Sequence, residues 1–296
     1  KSNWCILESD ESDGSFIKIP PTYSIVTNID AEHMDFYRSI ENLKNNFVKF
    51  INKTPSFGKS FICLDNQNNK DILKKISNMN YLTYGIDKKS NFRILNVVQK
   101  INYSMFDIKI SLPSNKKKYI KNIKVPVIGL HNIRNVTAAI AVSFSIGISN
   151  KLIKDGLKNF QGVQRRFTKI FSFQKVPFFD DYAHHPTEIK EVLNGVKEVY
   201  KNKEIVCIFQ PHRISRLKNL RKDFSKAFIK ADTVVLCPIY KAGENINLGF
   251  KYSKFANELI KNSKIKVILI KDKLDLEKFT RQNIYGDKIV IGMGAG

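Results

Sequence analysis

The segment Asp180-Asp181-Tyr182-Ala183-His184-His185-Pro186-Thr187-Glu188 gathers carboxylates, a phenol and two imidazoles in one short stretch. Such groups bind anions and hydroxyls, orient amines and exchange protons near neutral pH. The apolar run Val176 to Phe179 precedes the segment, and the amphipathic run Ile189 to Tyr200 follows it. Proline favours the first position of a helix, so the pattern predicts a strand ending at Asp180 and a helix opening at Pro186. Polar groups at the carboxyl end of a strand stand where open α/β sheets hold their ligands. All five histidines, His33, His131, His184, His185 and His212, fall in turns of this kind.

The arginines carry the same message. Nine of the 50 basic residues are arginine, and four of those nine form two tight pairs, Arg165 with Arg166 and Arg213 with Arg216. The planar guanidinium forks onto carboxylate and phosphate, which a lysine does less well. Arg213 and Arg216 share a face if a helix opens by Ile214, after the strand ending at Phe209. Two guanidinium groups near a helix start form an anion site. Arg165 and Arg166 lie on the expected link between two domains, and Asp181 is placed to accept a ribose hydroxyl. Tyr182, His184 and His185 are placed to orient a substrate. A hydrolytic zinc site using His184 and Glu188 lacks a paired ligand set.

Two further clusters lie upstream. Glu8 ends one apolar run and His33 follows the next, so an α/β sheet brings a carboxylate and an imidazole to adjacent strand ends. That pair suits a divalent cation touching phosphate; a solvated acidic turn and a helix start are the alternative. In Gly129-Leu130-His131-Asn132-Ile133-Arg134-Asn135, glycine permits a tight turn and Asn132 or its neighbour caps a helix. Asn135 lies one turn on. An amide offers the donor and acceptor that read a nucleobase edge.

The elements that must position these groups are those of an α/β chain. Strands are predicted at Trp4–Leu7 (buried), Ser24–Asn28, Phe61–Leu64 and Tyr81–Ile86, with an antiparallel excursion from Phe92 to Ile110. Helices are predicted at Ser39–Ile51, Lys70–Asn78, Asn132–Ile146 and about Ser149–Asn159. After a boundary near Gly162, strands at Phe167–Phe173, Val176–Phe179, Ile205–Phe209, Thr233–Leu236, Lys266–Ile270 and Lys288–Ile291 alternate with helices at 187–200, 215–230, 253–262 and 274–282. Alternation of this kind builds a mostly parallel sheet covered on both faces. Two domains are expected, 1–161 and 162–296.

The net charge of +23 invites a nucleic-acid partner. The lysines are dispersed, base-stacking motifs are missing, and the Lys116-Lys117-Lys118 run reads as a solvated loop, so no nucleic acid is expected. No apolar run approaches the ~20 residues of a membrane span, so no membrane is expected either. Cys5, Cys63, Cys207 and Cys237 are scattered singly and read as buried, reduced thiols of a cytoplasmic protein. The sequence does not give an oligomeric state.

Taken in order, six segments resemble the signatures of the Mur ligase family: Glu8 to Phe16, Thr27 to Asp35, Gly129 to Asn135, Gly162 to Phe167, Asp180 to Glu188 and Phe209 to Arg216. Gln210-Pro211-His212-Arg213 with Arg216 favours the alanine-adding branch over murein-peptide ligases; a non-catalytic remnant is the remaining alternative. The resemblance implies a partial central ATPase domain followed by a Rossmann-like C-terminal domain, with loops from both halves meeting in one crevice. It implies ATP and Mg2+ as cofactors and UDP-N-acetylmuramate and L-alanine as substrates, joined through an acyl phosphate in peptidoglycan synthesis. By position it makes Glu8 and His33 magnesium ligands and puts Asn132 and Asn135 near adenine. It puts Arg166 near phosphate, Asp181 at the ribose, and Tyr182, His184, Arg213 and Arg216 around alanine. The family's N-terminal uridine-nucleotide domain and its Gly-x-x-x-x-Gly-Lys-[Ser/Thr] loop have no counterpart, so the chain reads as a fragment with little activity alone. Ala183 stands where the family usually has glycine, which predicts mild strain if the turn requires φ > 0.

Overall fold

A computed structural model describes residues 3–77, 80–113, 117–244 and 251–295. Lys1, Asn78, Lys116 and Gly296, which belong to segments discussed above, lie outside the described residues. The chain divides into two compact units. One comprises Lys1–Val98, Ser104–Val125 and Asn132–Asn159; the other comprises Gln99–Tyr103, Pro126–His131 and Phe160–Gly296.

The first unit contains strands β1 (Tyr23–Val26), β2 (Lys59–Cys63), β3 (Tyr81–Gly85), β4 (Phe92–Lys100), β5 (Tyr103–Ser111) and β6 (Lys117–Val125), in that spatial order. Parallel pairing joins β1 to β2, β2 to β3 and β3 to β4, whereas β5 and β6 pair antiparallel. Its helices are α1 (Met34–Tyr37), α2 (Ile40–Asn52), α3 (Gln67–Ile72), α4 (Leu130–Ser145) and α5 (Asn150–Lys158). In α2, Ser39 caps the first turn by accepting the Asn42 amide. Leu43, Phe50 and Ile51 recur at helical spacing and are buried. Leu43 and Ile51 pack with Val26, Ile62 and Ile72 into one core.

The second unit is a sheet of order β11-β10-β9-β12-β8-β7, built from β7 (Thr168–Phe173), β8 (Val176–Asp181), β9 (Glu204–Phe209), β10 (Thr233–Leu236), β11 (Lys266–Leu269) and β12 (Lys288–Met293). All its pairings are parallel except β7 with β8. Every residue of β10 is buried, as expected of a central parallel strand covered on both faces. Its helices are α6 (Pro186–Val199), α7 (Ile214–Asn219), α8 (Arg221–Ala227), α9 (Tyr252–Ser263) and α10 (Lys273–Asn283). Two apolar cores line this sheet, one around Leu193, Cys207, Phe209, Phe224 and Phe255, the other around Phe178, Val206, Val235 and Val290. The α/β architecture and mostly parallel sheets agree with the sequence reading.

Five local expectations are corrected. Residues Trp4–Leu7 form no strand, and Trp4, Ile6 and Leu7 are 52%, 97% and 55% exposed. Apolar alternation makes a strand only where a ladder partner exists, and the described sheet begins at β1; Trp4 instead rests on the Tyr23 ring at 5.6 Å. Cys5 is accordingly exposed, unlike the three buried thiols. The single helix expected at 215–230 is two, because the backbone at Leu220 (φ −106°, ψ 20°) leaves the helical region. Helix α4 starts at Leu130, so Asn132 stands in its first turn rather than capping it. Lys117 and Lys118 open β6 rather than lying in a loop.

Candidate active site

In the second unit the polar block sits where β8 passes into α6. The turn is held by a capping box: the Thr187 amide donates to His185 Nδ1 at 3.3 Å, while the His184 and His185 amides donate to Glu188 Oε2 at 3.0 and 3.2 Å. Pro186 opens the helix, as expected. Ala183 is wholly buried and is absent from the positive-φ residues, so the strain expected there does not arise. Gly195 of α6 approaches Gly129 so closely that a Cβ would stand 2.7 Å from the Gly129 Cα. The Gly129 amide in turn donates to Gln99 Oε1 at 2.6 Å.

Asp181 is 2% exposed and braces this turn. Its Oδ2 accepts the Phe167 amide at 2.8 Å and its Oδ1 the Ala183 amide at 2.9 Å. Burial pushes the carboxyl up to about 6, against the pull of those two donors and of Arg166. Each oxygen keeps a second lone pair for a ligand hydroxyl. Arg165 is tied down, with Nε on Asp180 at 3.0 Å and Nη2 on the Gly294 carbonyl at 2.7 Å. Arg166 is exposed and faces Glu188 at 3.8 Å. Both guanidinium groups lie over the Tyr182 ring, at 4.9 and 6.0 Å.

From Tyr182 a file of rings continues. His184 meets Tyr182 edge-on at 5.1 Å, His212 lies 5.9 Å from His184, and Tyr240 stacks on His212 at 5.5 Å. The His184 Nδ1 lies 2.9 Å from the Tyr182 carbonyl, which can only accept, so Nδ1 carries the proton and Nε2 the lone pair. Burial lowers the His184 pKa, and the neighbouring Arg216 and Arg166 push the same way while Glu188 opposes them. Burial holds His185 down at about 4, so it is neutral at physiological pH. Arg213 (φ 66°) is the N-cap of α7 and is exposed, and Arg216 follows one turn later. Glu244 fixes that helix start, accepting the Ile214 and Ser215 amides at 2.7 and 3.2 Å as well as the Ser215 hydroxyl. Tyr182 and His184 thus stand on the turn after β8, Arg213 and Arg216 on the turn after β9, and Arg166 reaches the Tyr182 ring from the segment before β7.

In the first unit, Arg134 of α4 donates to Asp65 at 2.7 Å, and Asp65 also accepts the Ile86 and Asp87 amides. This ion pair fixes the start of α4, on which Asn132 is half-buried and Asn135 exposed. Glu11, Glu32 and His33 offer ligand atoms that all lie within 4.8 Å of one another. Two carboxylates and an imidazole form a donor set suited to a divalent cation. Glu8 is exposed and stands outside that trio.

Sequence reading assigned no role to His212, Tyr240, Glu244, Glu11 or Glu32. His212 and Glu11 lay inside quoted motifs, and their residue types were signal enough. Tyr240 and Glu244 arrive from the far side of β10, a placement only the fold reveals.

Parallel α/β units with basic and imidazole groups at strand ends define an anion-handling class of fold. Comparison with known proteins makes the class specific. The Mur ligase middle domain matches residues 2–143 and the Mur ligase glutamate ligase domain matches residues 165–296. The chain belongs to the Mur ligase family of ATP-dependent, amide-forming ligases. It is 64% identical over its whole length to a UDP-N-acetylmuramate--L-alanine ligase of Pelagibacter ubique, of which it covers 64%. It is 38% identical to the protein of that name from Bartonella tribocorum, covering 100% of this chain and 62% of that one. The crystal structure of UDP-N-acetylmuramate-alanine ligase from Thermotoga maritima superimposes with a TM-score of 0.73 at 26% identity, covering 97% of this chain and 59% of the other. The chain therefore spans somewhat less than two thirds of the relatives it matches.

Proposed function

We infer that the full-length protein carrying this chain joins L-alanine to the muramate carboxylate of UDP-N-acetylmuramate, using ATP, in the cytoplasmic stage of peptidoglycan precursor synthesis. The supporting observation is the 64% identity, sustained across all 296 residues, to a relative of that name. The ring file from Tyr182 through His184 to His212, with Arg166 at one end and Arg216 on His212, is consistent with it. A carboxylate oxygen is a poor leaving group, and phosphoryl transfer from ATP is the chemistry that makes it a good one.

On this reading Arg166 holds a phosphate oxygen, and Asp181 accepts a ribose hydroxyl with the lone pairs its backbone donors leave free. Asn132 and Asn135 read the adenine edge. Arg213 and Arg216 hold the amino-acid carboxylate, with Tyr182 beside them. The neutral His184 presents the Nε2 lone pair to the incoming ammonium and takes its proton, leaving the amine free to attack. Glu8 and His33 remain the ligands proposed for Mg2+, and Glu11 and Glu32 fit the same role better by proximity to His33. Bound magnesium would offset negative charge on the transferring phosphoryl group.

Phosphate release by the full-length protein tests the reading: it should require ATP, UDP-N-acetylmuramate and L-alanine together. Turnover with a free peptide in place of alanine would favour a murein-peptide ligase. No turnover with either would favour a non-catalytic remnant. The 296-residue chain, which contains no Gly-x-x-x-x-Gly-Lys-[Ser/Thr] sequence, is expected to release no phosphate by itself.

A further inference from the structure

Glu188 stands at the centre of the β8–α6 turn, and the reading above gives its charge no role. Its Oε2 accepts two backbone amides, those of His184 and His185. The same oxygen lies 3.6 Å from His184 Nδ1, and Oε1 lies 3.8 Å from Arg166 Nη1. One carboxylate thus faces both the group that would take a proton and the group that would hold a phosphate. A helix cap needs only an acceptor at this position, and glutamine satisfies that need as well as glutamate. The negative charge is therefore surplus to capping, and it faces the two side chains whose charge matters here.

We propose that Glu188 is a positioning residue of the ligase site, fixing the direction of Arg166 and supporting the imidazolium form of His184. The proposal rests on the ligase reading above for its catalytic meaning, but not for its electrostatics. At 3.6 Å the carboxylate is too far to replace the Tyr182 carbonyl as the Nδ1 acceptor, so it acts through its field rather than by a second hydrogen bond. Among the described residues, the groups facing His184 are Glu188, Arg216, Arg166, Tyr182, His212 and the adjacent His185. Glu188 is the one anion among them. Without it, two guanidinium groups and burial all disfavour protonation of a ring whose task is to accept a proton.

The test is Glu188→Gln, which keeps the acceptor oxygen of the cap and removes the charge. Histidine ring signals followed by NMR against pH need no activity. The His184 midpoint should move down in Glu188→Gln, and His185 with it, because Glu188 also favours its charged form. His212, whose charged neighbours are Arg216, His184, Arg213 and Glu244, should hold its position. Thermal melting of Glu188→Gln should match the parent, whereas Glu188→Ala should melt lower through loss of the cap. In the full-length protein, Glu188→Gln should lower kcat about tenfold, with the acidic limb of the kcat–pH profile displaced in the same direction as His184. An unmoved His184 midpoint, or a Glu188→Gln melt as low as that of Glu188→Ala with unchanged kcat, reduces Glu188 to a cap and overturns the proposal. A shifted His184 in a full-length protein that makes no amide would sink the ligase reading and the catalytic meaning of Glu188 while leaving its electrostatic role standing.

Discussion

Arg216 donates from Nη1 to His212 Nδ1 at 3.1 Å. A guanidinium cannot accept, so this contact fixes the His212 tautomer with its proton on Nε2. Burial lowers the His212 pKa, and the Arg216 charge is the next largest cause. The two residues are one turn apart, so a strand-end histidine and a helix-borne arginine lock each other in place before any ligand arrives.

Replacing Arg216 by alanine should raise the His212 midpoint measured by NMR, since a neighbouring cation is lost. In the full-length protein the same change should raise KM for alanine by roughly 10- to 100-fold, the range of a charge-assisted hydrogen bond of about 1.5–3 kcal/mol. Arg216→Lys should restore the charge effect on His212 only partly, because lysine lacks the planar fork.

Asp181 supplies a pH signature. Its folded pKa of about 6 exceeds the ordinary aspartate value of 3.8, so between those values the folded state binds more protons than the unfolded one. Stability from this group is then fully present below pH 3.8 and is lost as pH rises through 6. A tenfold change in proton affinity corresponds to about 1.4 kcal/mol, which makes the loss roughly 3 kcal/mol. His184, His185 and His212, whose lowered pKa values make stability rise over the same range, act the opposite way, so urea unfolding from pH 4 to 7 should show stability rising more steeply in Asp181→Asn than in the parent, by about the Asp181 amount. An identical slope in both proteins would place the titrating group elsewhere.

The contact between Gly195 and Gly129 leaves no room for a methyl group. Gly195→Ala puts a Cβ 2.7 Å from the Gly129 Cα and 3.2 Å from its nitrogen, both backbone atoms that cannot rotate away. Overpacking of this kind costs about 1–3 kcal/mol. Chemical denaturation should show that loss, even though alanine is the better helix former.

The Glu11–Glu32–His33 trio predicts divalent-cation binding within the first unit. Adding Mn2+ should broaden the His33 ring signals selectively and raise the melting temperature, and EDTA should reverse both effects. Glu11→Gln and Glu32→Gln should each weaken the response, and His33→Ala should abolish the broadening. Equal weakening by Glu8→Gln would bring Glu8 into the ligand set; no response to any of these changes would remove the site.

How much the sequence disclosed differs from element to element. The strand-to-helix passage at Pro186 was legible because proline, histidine and glutamate at positions 185–188 encode a cap through purely local geometry. The alternation after Gly162 was legible because period-two and period-3.6 patterns survive without knowledge of neighbours. Trp4–Leu7 was misread for the converse reason: its pattern is that of a strand, but a strand exists only through its partner. The break at Leu220 also escaped, since the apolar periodicity continues across it.

The sequence by itself determined which chemical groups this protein brings to strand ends, because residue type, spacing and turn signals are local properties. Tertiary structure alone decided that His212 lies between His184 and Tyr240, that Glu244 anchors the helix bearing Arg216, and that Glu11 joins the Glu32–His33 pair. Those neighbours are far apart in the chain or cross a turn whose path is unspecified. Their meeting follows from sheet order and register, which the packing of whole strands fixes and no single segment encodes.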